Sequence, residues 1–487
     1  MNKKYSNFAG MESLKSKTIK GIVWSAIERF SIQIIQFVVQ IIIARLLVPK
    51  DYGLIGMLAI FIAIAQTFID GGFANALIQK KNRNEIDYST VFYFNFVVGL
   101  ILSLIFFLSA GFISDFYKMP ELKIVIKVMC INLIIISLQV VHKAKLSIEI
   151  DFKTQAKASL IGVFISGIVG IYMAYKGYGV WSLVVNIILN NLIQTALLWY
   201  FLKWKPLWIF SFDSFTKLFS FGSKILASNL LHTIYLNLYT MIIGKRFSAT
   251  SLGYYTRADQ FAQFPSSNIT GILQRVTYPI LSSIQDDDER LRNIYRQYVK
   301  LFAFIVFPMM LGLAAIAKPF IILILTEKWL GIVPLLQILC VYYMWYPINA
   351  IHQNLMQVKG RSDLFLKLEF VKKIIGIGLL FISLPFGLNS LAWSLVAYSL
   401  ISLGLNTYYA SRLIDFSIKN QLIDILRIFI ISSIMAAVVY LINYLDLNNW
   451  LKIILAIASG AILYTAMAKI FRFDEINQLI NLVRNKV

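Results

Sequence analysis

Long apolar segments follow one another along the chain from about residue 20 to residue 471, separated by short polar stretches. Each apolar segment is close to the ~20 residues that an α-helix needs to cross the hydrocarbon core of a bilayer. The pattern predicts fourteen spanning helices, over 20–46, 54–79, 89–112, 122–143, 156–175, 178–202, 219–244, 257–281, 298–325, 332–357, 364–386, 389–411, 421–443 and 449–471. We therefore expect an all-α integral membrane protein.

A short sequence, Trp-Ser-Leu-Val, occurs at 181–184 and again at 393–396. Other landmarks recur in the same order and at about the same spacing of 200 to 212 residues. They are Gly53 with Gly253, Cys130 with Cys340 and His142 with His352. The shared order and spacing indicate an internal duplication.

The duplication predicts the domain organisation. Six helices separate the two copies, so both copies have the same orientation, as in transporters that hold substrate between two related halves. We expect a leader over 1–19, a six-helix bundle over 20–205 and a second six-helix bundle over 206–415. Two extra helices and a short tail follow over 416–487.

The distribution of lysine and arginine predicts the orientation in the membrane. Loops that are cytoplasmic when the N-terminus is cytoplasmic carry roughly 32 of these residues, against about 12 in the opposite loops. Both termini are therefore expected in the cytoplasm. No cleavable signal peptide is expected, because residues 1–20 are polar and basic.

Composition supports the membrane class, with 59% hydrophobic and 14% charged residues. The net charge of +22 does not indicate nucleic-acid binding, because the basic residues lie between apolar segments rather than along one helix face. The two cysteines lie inside apolar runs and predict neither a disulfide nor a metal site. No cofactor is expected.

A polar stripe runs along the first predicted span. Ser25, Arg29, Gln33, Gln36 and Gln40 are spaced by three or four residues and share one helix face. Such a face avoids lipid, because unsatisfied polar groups are costly there. Single glutamines more often join neighbouring helices, whereas a charge with three amides favours a hydrated cavity.

Equivalent helices of the second copy carry similar residues. Gln260 and Gln263 lie on one face of the eighth span, with Arg257 and Arg275 near its ends, and Lys224 lies on the seventh. These cations either face the cavity or extend to the lipid headgroups. The second span contributes Asp70, one turn from Gln66.

The predicted cavity chemistry suits a phosphorylated glycan. Guanidinium groups bind phosphate through paired donors, and amides suit sugar hydroxyls. The chain contains no phosphate-binding loop, nucleophile elbow or zinc-protease motif. The acidic run at 286–289 is interpreted as a solvated loop and helix start rather than a metal site of a glycosyltransferase.

Several segments, in order, resemble a known group of proteins. They are GIVWSAIERF, LLVPKDYGLIGM, DGGFANALIQKK, EIDFKTQA, GYGVWSLV, LGYYTRADQFAQFP and YPILSSIQDDDERL. The chain resembles the Wzx-type flippases among the bacterial polysaccharide transporters. These flippases, of lipopolysaccharide, colanic-acid and teichuronic-acid export, belong to the multidrug/oligosaccharidyl-lipid/polysaccharide exporter superfamily.

The resemblance implies flipping of undecaprenyl-diphosphate-linked oligosaccharides by alternating access, coupled to a cation or proton gradient. It also implies that cations on the first, second, seventh and eighth helices bind the diphosphate, which selects Arg29, Lys224, Arg257 and Arg275. Asp70 departs from this pattern and is assigned a coupling or gating role. The expected partners are the lipid-linked glycan, membrane lipids and a polysaccharide polymerase or export complex.

Three other hypotheses stay open. A multidrug exporter of the same superfamily would hold membrane carboxylates for a cationic substrate. A membrane glycan ligase or glycosyltransferase would place catalytic acids at a membrane face. A scaffold for glycan assembly would bury the polar stripes against partner proteins.

Overall fold

The computed structural model describes residues 31–476, which form α-helices and short 3-10 helices and contain no β-strand within that range. The described part of α1 covers Ser31–Leu46. The helices that follow are α2 (Pro49–Asp70), α3 (Phe73–Gln79), α4 (Glu85–Tyr117), α5 (Glu121–Ser137), α6 (Val140–Glu149), α7 (Phe152–Tyr175), α8 (Val180–Leu202), α9 (Phe212–Arg246), α10 (Ala249–Ser283), α11 (Asp288–Ala315), α12 (Ala317–Leu325), α13 (Val333–Tyr343), α14 (Tyr346–Val358), α15 (Ser362–Ser383), α16 (Leu388–Leu413), α17 (Ile418–Leu441) and α18 (Asn449–Ile470).

The prediction of an all-α membrane protein is confirmed. Each predicted span overlaps a described helix or a pair of consecutive helices. Ten helical segments between residues 31 and 476 are long and apolar enough to cross a membrane. The number of crossings, fourteen, stays a prediction. The ninth predicted span, 298–325, is divided, because α11 ends at Ala315 and α12 is a separate short helix.

Local sequence explains where several helices begin. Asn84 accepts a hydrogen bond from the Asp87 N–H, and the Asp87 carboxylate accepts one from the Asn84 N–H, at 3.0 Å each. This capping box satisfies donors that the first turn of α4 leaves unpaired. Asp287 caps α11 in a similar way by accepting from the Arg290 N–H at 3.0 Å. The acidic run at 286–289 is thus a helix start, as predicted.

Contacts divide the chain into two units, Met1–Gly253 and Tyr254–Val487. In the first unit, α4 packs along α5, α7 along α8, and α9 against α2 and α3. In the second unit, α11 packs against α13, α14 and α17, while α15 packs along α16. By its contacts, α9 belongs to the first unit. The six-helix bundles over 20–205 and 206–415, which rest on the sequence duplication, stay a prediction.

The two copies of the repeat share a broken helix. In the first copy the helix breaks between Ser137 and Val140, which separates α5 from α6. In the second it breaks between Tyr343 and Tyr346, and Pro347 lies at the start of α14. Proline is tolerated in a first helical turn because its missing N–H is unpaired there anyway.

The glycines that the sequence alignment pairs also have matching environments, both within the first unit. A Cβ added to Gly53 in α2 would overlap the carbonyl oxygen of Ala249. A Cβ added to Gly253 in α10 would overlap the carbonyl oxygen of Pro49. The absence of a side chain at Gly53 therefore allows close contact with the first turn of α10, and the absence of one at Gly253 allows close contact with the first turn of α2.

Candidate functional site: a polar cavity in the first unit

A polar cavity of about 510 Å³ lies within the first unit. It is bounded by the end of α2, the turn into α3, the junction of α5 with α6, and one face each of α8 and α9. The polar residues that line it are Gln66, Asp70, Asn75, Gln139, Lys143, Ser147, Asn191 and Asn229. Its chemistry is therefore that of amides, with one carboxylate, one ammonium group and one hydroxyl.

A two-glycine turn places Asp70 in this cavity. Asp70 is the last residue of α2, and Gly71 and Gly72 follow with φ angles of 53° and 70°. This left-handed backbone suits glycine. A Cβ at Gly72 would also overlap the carbonyl oxygen of Gly222 in α9. The turn thus lets α9 approach α3 closely.

Asp70 has a neighbouring cation. A helix C-terminus carries partial negative charge, so a carboxylate there is unfavourable without a compensating positive charge. Lys143 of α6 supplies that charge, since its field acts on Asp70. Both side chains line the cavity. The pair gives the cavity a carboxylate and an ammonium group that a polar ligand can contact.

The amides of the cavity wall include one whose acceptor is unused within the described part of the chain, Gln139. The Asn191 Nδ2 donates to Asn132 Oδ1 at 2.9 Å, which joins α8 to α5. Gln139 follows the break after α5, and its side chain is 3% exposed. Its Oε1 atom accepts no hydrogen bond from residues 31–476. The wall can therefore offer acceptors and donors to the hydroxyl groups of a ligand.

The structure brings together Gln66 and Asp70 of the second predicted span, as their spacing of one turn predicts. Lys224 lies on α9 with an exposed side chain, but it does not line this cavity, although Asn229 of the same helix does. Arg29 lies outside the described residues.

The glutamines of α1 lie elsewhere in the first unit. Gln36 is exposed, whereas Gln33 and Gln40 are half-buried, and none of them lines the cavity. Val39 of this helix packs against Gly167 of α7, where an added Cβ would come within 2.6 Å of the valine side chain. The apolar face of α1 is thus used for packing, and Gln36 stays accessible.

The remaining predicted residues belong to the second unit. On α10, Gln263 and Arg275 are exposed, while Arg257 and Gln260 are half-buried. Near them, the Tyr343 hydroxyl donates to Asp259 Oδ1 at 2.9 Å. The polar stripe predicted on this helix is therefore accessible at some positions.

Sequence reasoning missed five polar residues of the cavity: Asn75, Gln139, Lys143, Ser147 and Asn191. Lys143 ends the fourth predicted span, 122–143, and was not recognised as a cavity residue. The spacing of four residues between Gln139 and Lys143 places them on one helix face, and this pattern could have identified them together.

Comparisons with known proteins give consistent matches. Residues 42–334 match the family described as polysaccharide biosynthesis protein. The chain is 25% identical over 464 residues to the teichuronic acid biosynthesis protein TuaB of Bacillus subtilis (strain 168), across 93% of this chain and 95% of that protein. It is 28% identical to the lipopolysaccharide biosynthesis protein WzxC of Escherichia coli (strain K12), across 74% of each chain.

A solved structure described as the lipid II flippase MurJ, in an inward closed conformation, has a similar fold. It superposes with a TM-score of 0.74 at 18% identity and covers 93% of this chain and 100% of the other. At 18% identity, this similarity shows a shared fold and nothing about function.

Proposed function

Because this chain belongs to the polysaccharide biosynthesis protein family, we propose that it flips lipid-linked oligosaccharides across the bacterial inner membrane. The substrate is an oligosaccharide on undecaprenyl diphosphate, destined for a lipopolysaccharide or exopolysaccharide. Relatives named for lipopolysaccharide biosynthesis and for succinoglycan transport support this assignment. The chain acts as a transporter rather than an enzyme, by alternating access, with both termini in the cytoplasm.

The observation that carries the proposal is the polar cavity among helices apolar enough to span a membrane. Polar groups in a membrane protein are costly unless they are paired or face water, and they commonly mark a substrate path. Here five amide side chains surround one carboxylate and one ammonium group. Sugar hydroxyls both donate and accept hydrogen bonds, and amides can do the same.

The diphosphate needs cations in addition to amides. We assign this role to Arg29, Lys224, Arg257 and Arg275, because guanidinium and ammonium groups form strong charge-assisted hydrogen bonds with phosphate. Gln33, Gln36, Gln40, Gln260 and Gln263 contact the glycan. Asp70 is the coupling or gating group, because it lines the cavity together with Lys143 and can bind a proton or a cation.

Arg29 provides the first test of this assignment. We expect Arg29→Ala to abolish polymer export in a strain that lacks the native flippase, and Arg29→Lys to retain part of it. The same variants, purified into vesicles with a defined lipid-linked diphosphate oligosaccharide, should show the same order of transport rates. Normal export by Arg29→Ala, at normal membrane levels, would refute the assignment of Arg29.

The competing proposal is export of cationic drugs, for which Asp70 supplies a carboxylate. Lys143 weakens that proposal, because it offsets the negative charge of the cavity. A drug-sensitive host that gains resistance from this chain, together with no transport of the lipid-linked oligosaccharide in vesicles, would favour drug export.

A further inference from the structure

A second large cavity lies in the second unit, as an open groove of about 860 Å³. Its walls are α11, α17 and the turn that follows α18. Along α17 the lining changes from charged residues to isoleucines, which form an apolar end, while Phe471 and Phe473 lie beside Arg472 in the turn. The groove is separate from the polar cavity of the first unit and uses none of its residues.

The turn after α18 is held in place by specific contacts. Arg472 adopts a left-handed conformation with φ of 53°, and the Phe473 N–H donates to the Ala468 carbonyl at 2.9 Å. This pattern ends the helix as a Schellman motif does. The Phe473 ring then lies 6.1 Å from the ring of Phe304 in α11. The turn after α18, which forms one wall of the groove, is therefore held in place by contacts within the second unit.

Two ion pairs account for most of the charge in the groove. Arg296 of α11 donates to both carboxylate oxygens of Asp424 in α17, with the Nη2–Oδ1 distance at 2.8 Å. Lys300 lies 2.6 Å from the carboxylate of Glu475, which is 1% exposed. The two pairs connect α11 to α17 and to the turn after α18. Within each pair the positive and negative charges cancel.

Two guanidinium groups are left over. Arg427 on α17 and Arg472 after α18 line the groove, are exposed, and form no ion pair with any residue of 31–476. Asp474 is the remaining carboxylate of the lining. The unpaired charge of the groove is therefore positive, from two arginines against one aspartate.

The apolar end continues directly from these arginines. Ile430 and Ile434 follow Arg427 by three and seven residues on α17, and they are 48% and 45% exposed. Phe471, 63% exposed, precedes Arg472. The groove therefore has a cationic end and an adjoining exposed apolar strip, which is the shape of a lipid with an anionic headgroup.

We propose that this groove binds an anionic phospholipid. Arg427 and Arg472 bind the phosphodiester, and one acyl chain lies along Ile430, Ile434 and Phe471. Basic pockets between membrane helices on the cytoplasmic side suit anionic headgroups, and the arginines lie at the end of the helices predicted to be cytoplasmic. The groove contains none of the residues assigned to the transported substrate, so we take this lipid as a resident of the groove and not the substrate.

Native mass spectrometry of the full-length protein in detergent tests this proposal. We expect phosphatidylglycerol to bind the wild-type protein more tightly than phosphatidylcholine. The double variant Arg427→Gln/Arg472→Gln should bind phosphatidylglycerol about tenfold more weakly. The matched control Lys367→Gln/Lys419→Gln also removes two exposed cations of the second unit, but neither residue lines the groove, and its affinity should equal that of wild type.

A variant with the cations intact makes the test specific to a lipid. Ile434→Trp should fill the apolar end and weaken phosphatidylglycerol binding, while the groove arginines remain. Unchanged affinity in Arg427→Gln/Arg472→Gln, or an equal loss in the lysine control, would overturn the proposal. Full competition by inorganic phosphate alone would also overturn it, because the site would then recognise free phosphate rather than a lipid.

Discussion

In the first unit, the break between α5 and α6 borders a polar cavity in which the Gln139 Oε1 accepts no hydrogen bond from residues 31–476. In the second unit, α14 begins after the equivalent break, and its His352 is hydrogen-bonded through both ring nitrogens. Nδ1 lies 3.2 Å from the Tyr295 hydroxyl, and Nε2 lies 3.0 Å from Thr407 Oγ1.

The repeat-related histidines show the same contrast. His142, in the first unit, packs against the rings of Trp199 and Trp204, at 4.7 and 5.3 Å between centroids. His352 belongs to a polar network that reaches Gln421 through Tyr295. The repeat therefore preserves the broken helix but not its chemistry. We infer that polar groups hold the second unit together here, whereas in the first unit the Gln139 oxygen at the cavity stays unused by the described residues.

The largest effect should come from the turn that builds the cavity. We expect Gly72→Ala to destabilise the protein by about 3 kcal/mol, because its φ of 70° is unfavourable for alanine and the new Cβ would overlap the Gly222 carbonyl. Thermal unfolding of the purified protein measures the loss. Gly177→Ala is the matched control, since its φ is 81° but no atom lies within 4 Å of the new Cβ; it should cost about 1 kcal/mol. Equal losses would show that the close contact with α9 is unimportant.

Much of the fold could be predicted from the sequence. The lengths of the apolar segments gave helices at the observed positions, and the acidic run at 286–289 gave the start of α11. The family resemblance drawn from ordered segments is confirmed by the match over residues 42–334. The alignment of Gly53 with Gly253 is supported by their equivalent close contacts. All of these are local patterns or repeats of local patterns.

The site was less predictable, because it depends on helix breaks. Lys143 ends the fourth predicted span, 122–143, because hydropathy treats that span as one continuous helix. The chain instead breaks after Ser137, and α6 turns Gln139 and Lys143 toward the cavity. No proline marks this break, unlike the one before Pro347 in the second unit. The roles of Arg29, Lys224, Arg257 and Arg275 stay predictions.

The next effect tests the cation that lines the cavity together with Asp70. We expect Lys143→Gln to lower transport of a lipid-linked oligosaccharide in vesicles about tenfold, because the cavity loses its cation beside Asp70. Lys143→Arg should retain most of the activity. Lys157→Gln is a suitable control, since Lys157 is an exposed cation of the same unit outside the cavity. If Lys143→Gln transported the oligosaccharide at the wild-type rate, Lys143 would have no role in the mechanism.

The smallest effects separate the two units most clearly. Gln139→Leu removes an amide whose oxygen has no partner among residues 31–476. We expect stability within about 0.5 kcal/mol of wild type but transport lowered about threefold. Gln421→Leu removes an amide that donates to the Phe416 carbonyl at 3.0 Å and accepts from the Tyr295 hydroxyl at 3.4 Å.

For Gln421→Leu we expect the opposite result, a loss of about 2 kcal/mol in unfolding free energy with unchanged transport by the folded protein. Thermal unfolding and vesicle transport, measured on the same preparations, give both quantities. The contrast between the units therefore predicts that Gln139→Leu lowers transport but not stability, and that Gln421→Leu lowers stability but not transport. If Gln139→Leu destabilised the protein as much as Gln421→Leu and left transport intact, the amides of the first unit would be structural, and its cavity would not be a substrate site.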